Sequence, residues 1–221
     1  LISENNARVE SAPNESAPLV RMLKLETPEV TRVRLDITEG SDSWVIEFDQ
    51  SSTAHSLPVL GLRPGKTHTV LVTALDEQGR RVSERVLEIQ TDQLPDDFPE
   101  FSSSGDPELM EPGVTLFEAG GFLIGVDEDG EVVWYYRITS PGSLDRDVRR
   151  MANGNLLLLS APFRIMEIDM LGNTIRRWHA ARSTEGEEGS IPVDVTAFHH
   201  EVFDMESGNF LVLSLEVREL D

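Results

Sequence analysis

Imidazole supplies a nucleophile and a proton carrier near neutral pH, and imidazolium or guanidinium supplies cationic donors for a developing anion. Of the five histidines in the chain, His199 and His200 stand side by side, just before the strand-like run that opens at Gly208-Asn209. In a strand neighbouring side chains face opposite ways, so only one of the two is expected to serve a given site, and His200 is favoured. The plainer reading, that both are ordinary polar residues at the rim of a sheet, stays open. His68 is read as a structural ring because no other metal-type residue stands beside it. His179 follows Trp178 at the end of a strand and reads as surface, and Glu185 to Glu188 as a solvated loop. Asp127 and Asp129 invite a calcium reading, but a short turn offers too few oxygens and both are expected to be hairpin-turn residues. There is no cysteine, which excludes disulfides, thiolate metal sites and thiol catalysis. No metal and no cofactor is called for.

The elements that must position these residues read as strands. From Val20 to Thr91 short alternating runs are separated by Gly, Pro and Asp turns. Thr31, Val33, Leu35 and Ile37 form one face; Trp44, Ile46 and Phe48 another; Val70, Val72 and Ala74 a third; Val82, Val86 and Ile89 follow the Asp76-Glu77-Gln78-Gly79 turn. Trp44, Leu62 and Val72 are expected in the core. Residues 1–19 lack apolar periodicity and read as a flexible segment. Residues 93–111 carry Pro95, Pro99 and Pro107 among acidic residues and read as a linker.

Beyond Pro112 the chain repeats itself. The run 123–134, with Asp127-Glu128-Asp129-Gly130, matches 165–175, with Asp169-Met170-Leu171-Gly172. Interleaved with these, Asn153-Gly154-Asn155 and the Leu156 to Leu159 run match Ser207-Gly208-Asn209 and Phe210 to Leu213, and Trp134 and Trp178 close two units. A multi-stranded repeat at roughly 40 to 55 residues is the signature of propeller blades. Residues 112–221 hold little more than two, whereas a closed propeller takes about four to eight. The chain is therefore expected to be the N-terminal portion of a longer protein.

Net charge is −21, which repels phosphate backbones and anionic lipid surfaces, so neither nucleic acid nor a membrane is an expected partner. The longest apolar runs are too short to span a bilayer.

Two resemblances carry this further. Leu62, Pro64, Gly65, His68, Val70, Val72 and Ala74 resemble the E–F corner of a fibronectin type III domain, with His68 where that family usually has Tyr, so that the ring is kept and the buried hydroxyl lost. Pro112 to Phe117, the Asp127–Trp134 unit, Gly154-Asn155-Leu156, Glu167-Ile168-Asp169 with Gly172-Asn173, and Phe198-His199-His200-Glu201 before Gly208-Asn209 occur in an order that resembles the arylsulfotransferases that work without PAPS. The resemblance implies an all-β chain: a fibronectin-III-like β-sandwich over 20–92, then the first blades of a six-bladed β-propeller over 112–221. It implies an extracytoplasmic location and sulfuryl transfer from an aryl sulfate to a phenol through a transient sulfo-histidine lying beyond this chain. One of His199 and His200 would line the central channel, binding sulfate and stabilising the transition state. The rival reading is a non-catalytic propeller that binds carbohydrate, protein or a cell surface. A quinone-cofactor dehydrogenase propeller shares Asp, Gly and Trp repeats, but nothing specific in these residues supports it. A further His and an Arg at equivalent blade positions would favour the enzyme.

Overall fold

The computed structural model describes residues 2, 6–104, 109, 112–138, 146–160 and 162–215. Among them are fifteen β-strands and no α-helix, and the chain divides into two compact units, residues 1–115 with 125–135 and residues 116–124 with 136–221. Pro107 of the expected linker lies outside the described residues.

In the first unit β1 (Ala7–Glu10), β2 (Arg21–Glu39), β4 (Thr67–Leu75) and β5 (Arg81–Gln90) lie in the order β1-β2-β4-β5, with β3 (Asp42–Val59) also paired to β2. A 19-residue strand held straight would run roughly 60 Å. Leu23 and Leu25 near the start of β2 nevertheless share one core with Val33, Leu35 and Ile37 near its end, together with Leu57, Val59, Val70 and Val72. The strand is therefore bent, and the register between β2 and β3 shifts at Glu26/Thr31 and Thr31/Val33, where the bend falls. The sandwich is thus one sheet folded over on itself, not two separately bonded sheets. Leu62 and Val72 are fully buried, and Trp44 packs against the same core from its partly exposed margin.

Two expectations change. Part of the supposed flexible segment is structured: Ala7–Glu10 pairs antiparallel with Met22–Leu25 of β2, and Ala17, Leu19 and Val20 are buried. Its short apolar residues alternate too briefly to show a period. In β5 the inward face is Ser83, Leu87 and Ile89, while Val82 and Val86 are exposed. Strand alternation places residue 89 with odd positions, so the two valines fall on the opposite face.

Three further sheets follow. β6 (Thr115–Ala119), β7 (Phe122–Val126) and β8 (Val132–Arg137) lie in that order. β9 (Arg146–Arg150), β10 (Leu156–Ser160), β11 (Arg164–Ile168), β12 (Thr174–Ala180) and β13 (Ile191–Val193) form a second, in which β13 joins β12 in parallel as a fifth strand. β14 (Phe198–Asp204) and β15 (Phe210–Ser214) form the third.

The sequence repeat is visible in the hydrogen bonds. Asp127 Oδ1 accepts the amides of Asp129 (3.1 Å) and Glu131 (2.9 Å), and Asp169 Oδ1 accepts those of Leu171 (2.9 Å) and Asn173 (2.8 Å). Gly130 and Gly172 take φ of 79° and 85°, the left-handed values that close each turn and that favour glycine. The second repeat behaves alike: Met151 N–H donates to Asn155 O (2.8 Å) and Met205 N–H to Asn209 O (2.9 Å). Asp127 is therefore a turn residue, as its spacing indicates.

Candidate functional site

The histidine pair is positioned by β14, whose two anchors are Phe198 and Val202. Both are fully buried against Leu157, Leu159, Ile165 and Trp178 of the adjacent sheet. Three residues separate the anchors, so unbroken alternation would turn His200 inward between them. It does not, because the pairing with β15 jumps. Phe198 faces Ser214, His199 faces Leu213, and the next matched residue is Val202, facing Val212. His200 and Glu201 are left without partners in the register, a bulge of two residues on one strand.

The bulge is made by the backbone of His200, whose φ of 64° lies in the left-handed region. Among the described residues it is the only non-glycine residue there. His tolerates this region better than most residues, yet it costs about 1 kcal/mol or more. The consequence is that His200 is exposed and the two imidazoles come together, with centroids 4.9 Å apart and planes at 87°. The expectation that neighbouring rings here face opposite ways is thereby corrected, because alternation holds only for regular strand. Among the described residues neither ring is hydrogen-bonded to another group. Register also places His199 on the same outer face as Phe203, Leu211 and Leu213, all three of which are exposed apolar residues.

The remaining histidines are elsewhere and differently employed. His68 is fully buried on β4, where its Nε2 accepts the amide N–H of Arg63 at 3.0 Å. That bond runs back to the chain just upstream, as the hydroxyl of a tyrosine corner does. The ring nitrogen thus replaces the lost hydroxyl, and burial pushes the imidazole below its ordinary value, keeping it neutral. His55 is also buried, with its Nε2 3.2 Å from Thr31 Oγ1, and burial depresses it too. His179 is half-buried, not surface, with Nδ1 2.8 Å from Ser190 Oγ.

Two charged groups were given no role by the sequence reading. Arg63 is locked at its backbone, with its N–H on His68 and its carbonyl accepting the Thr91 hydroxyl at 2.5 Å. Its guanidinium meets Asp127 at 2.8 Å, Glu39 at 3.2 Å, Asp129 at 3.9 Å and Asp42 in a short contact. Burial works against its charge, but Asp127 and Asp42 outweigh it and hold the pKa above the usual arginine value, while Arg63 holds Asp42 below the carboxylate range. A cavity of about 450 Å³ beside it is lined by Trp44, Arg63, Asp42, Asp127, Glu128 and Asp129 among others. Its charge is thus already over-compensated by the carboxylates around it.

Glu167 is the second. Its side chain is only 1% exposed, yet both oxygens are engaged: Asn153 (3.1 Å) and Asn155 (2.6 Å) donate to Oε1, and Arg176 donates to Oε2 at 2.6 Å. Burial alone would raise its pKa, but the donors from Asn155, Arg176 and Asn153 overcome it and lower the value. Glu167 stays a carboxylate at neutral pH and is no general acid. It ties the Asn-Gly-Asn turn to β12. Among the described residues no group of three or more His, Cys, Asp or Glu side chains is placed to hold a metal ion. No described helix is long and apolar enough to cross a membrane.

Two family models match the chain. One, described as Arylsulfotransferase (ASST), covers residues 102–220, and the other, described as Arylsulfotransferase Ig-like domain, covers residues 8–92. No curated protein matches. Among solved structures the chain is similar, at 15% identity and a TM-score of 0.31, to a protein of unknown function from Bacteroides caccae, with 82% of this chain and 50% of that one covered. The chain thus spans about half the length of that structure.

Proposed function

Because the chain belongs to the arylsulfotransferase family, we propose that it is part of an enzyme that moves a sulfuryl group from an aryl sulfate to a phenol. The nucleophile of the proposed reaction is a histidine outside this chain. Its ring nitrogen attacks sulfur as the bond from sulfur to the aryl oxygen breaks, and the first phenol departs as its phenolate, which takes a proton from solvent. The acceptor phenol then attacks sulfur, the N–S bond breaks, and the acceptor proton is lost to a base. In both steps negative charge on the three peripheral oxygens needs preorganised donors. The pair at the start of β14 is assigned that role, with His200 as the principal donor. The observation that carries the proposal is the left-handed bulge at His200: a strained backbone that ejects an imidazole from a core face is retained at a cost, and such strain concentrates at functional sites. The apolar residues Phe203, Leu211 and Leu213 on the face of His199 suit an aryl group.

The partners proposed are small phenols and aryl sulfates, in an extracytoplasmic compartment, with the acidic surface disfavouring nucleic acid and anionic lipid. The test follows nitrophenol release from an aryl sulfate with a second phenol as acceptor, in the full-length protein. His200→Ala is expected to lower the rate by about 10² to 10³, the scale of one lost donor, and His199→Ala by much less. Full activity in both variants removes the pair from the mechanism, and an inactive wild type moves the reading to a binding propeller.

A further inference from the structure

The bulge at His200 frees a backbone group that something must take up. Val202 N–H, the first amide after the two unmatched residues, donates to Asp147 Oδ2 at 3.1 Å. Asp147 belongs to β9 in the neighbouring sheet, 55 residues away in sequence, and its side chain is 18% exposed. The same oxygen accepts Arg149 Nε at 3.0 Å, and Arg149 in turn reaches Glu201 at 3.6 Å. The C-terminal side of the distortion is therefore held twice from β9: Val202 through the carboxylate, and Glu201 through the arginine.

The two holds differ in strength. Arg149 and Glu201 are 43% and 70% exposed, so their pairing is the solvent-screened kind that contributes little. The bond from Val202 to Asp147 joins an ionised acceptor to an amide beside a fully buried side chain, and charge-assisted bonds in such places are the strong ones. We infer that Asp147 is the positioning residue of the histidine pair: its carboxylate holds the bulge in β14 open and so sets the backbone from which His200 projects. Its effect on catalysis rests on the function proposed above, while its effect on the bulge does not. No contact between Asp147 and substrate is implied.

Two measurements on the full-length protein separate these. The first is amide exchange at Val202 together with the ring resonances of His199 and His200. Asp147→Ala is expected to speed exchange at Val202 at least tenfold and to move both ring signals, whereas Asp147→Asn, which keeps an acceptor oxygen, restores most of the protection. Unchanged exchange and ring signals in Asp147→Ala overturn the inference, whatever the enzyme does. The second is a double-mutant cycle on nitrophenol release. Asp147→Ala alone is expected to lower kcat about tenfold with KM nearly unchanged, since displacement of one group by a fraction of an ångström suffices for that. In a His200→Ala background it is expected to cost nothing more, because Asp147 acts through that ring. An equal loss in both backgrounds overturns the positioning role. If His200→Ala is itself fully active, the role proposed for His200 fails, and the exchange measurement alone decides whether Asp147 holds the bulge.

Discussion

Residues 62–68 of the first unit and residues 198–202 of the second each place an imidazole beside a fully buried apolar anchor, and they do opposite things with it. At the sandwich corner His68 lies in regular strand, follows the alternation of β4 and is fully buried, its Nε2 used up by Arg63 N–H. On β14 the same residue type at the same kind of position would also be buried, but a two-residue bulge turns it out. Burial with a satisfied nitrogen makes a histidine a piece of scaffold. Exposure at the expense of backbone strain leaves a histidine free to meet a ligand. Residue type is no guide to role here; the regularity of the strand is.

The contrast can be broken in several ways. The largest effect expected is on rate, the loss of about 10² to 10³ in His200→Ala. His68→Ala should leave the chemistry alone and instead lower the unfolding free energy by about 3 kcal/mol, since it removes a packed ring and strands an amide. Denaturant melts of the two variants check this, and a large rate loss in His68→Ala with unchanged stability would erase the distinction. His68→Phe keeps the ring but not the acceptor, and should cost about 1–2 kcal/mol through the unpaired Arg63 amide.

pH separates the two units next. His68 and His55 are depressed by burial, so below 6.5 the unfolded chain takes up protons that the folded sandwich refuses. Their contribution is complete above that pH and is lost as pH falls toward the folded values. Glu167 is depressed below 4.5, so the stability it contributes to the second unit is present above that value and lost only as pH falls through its folded pKa. Melting the protein from pH 7 to pH 4 with probes on each unit should therefore show the sandwich weakening first. A second unit that weakens between pH 6.5 and 5 would contradict the assignment.

The smallest effect expected has the opposite sign. His200→Gly removes the penalty of a left-handed side chain and should raise stability by about 1 kcal/mol while lowering activity as His200→Ala does. A His200→Gly variant that is both less stable and fully active would leave the strain without a function.

Much of the fold was legible because short-range pattern reports it. The alternation of Val33, Leu35 and Ile37, the Leu62-Pro64-Gly65 corner and the Asp-x-x-Gly turns each depend on neighbours in the chain, and the structure follows them. β1 was not legible, because a four-residue strand pairs with β2 by backbone bonds that need no particular side chains. Nor was Arg63, whose carboxylate partners lie as far as 64 residues away.

The candidate site divides the same way. Type, spacing and order in the sequence determined that an adjacent pair of imidazoles sits before a Gly-Asn strand, in a chain of the arylsulfotransferase family. Which way the rings face was decided by tertiary structure alone. Alternation is a property of a strand in register, and register depends on the partner strand. β15 skips His200 and Glu201, and Asp147 on a different sheet takes the amide that follows.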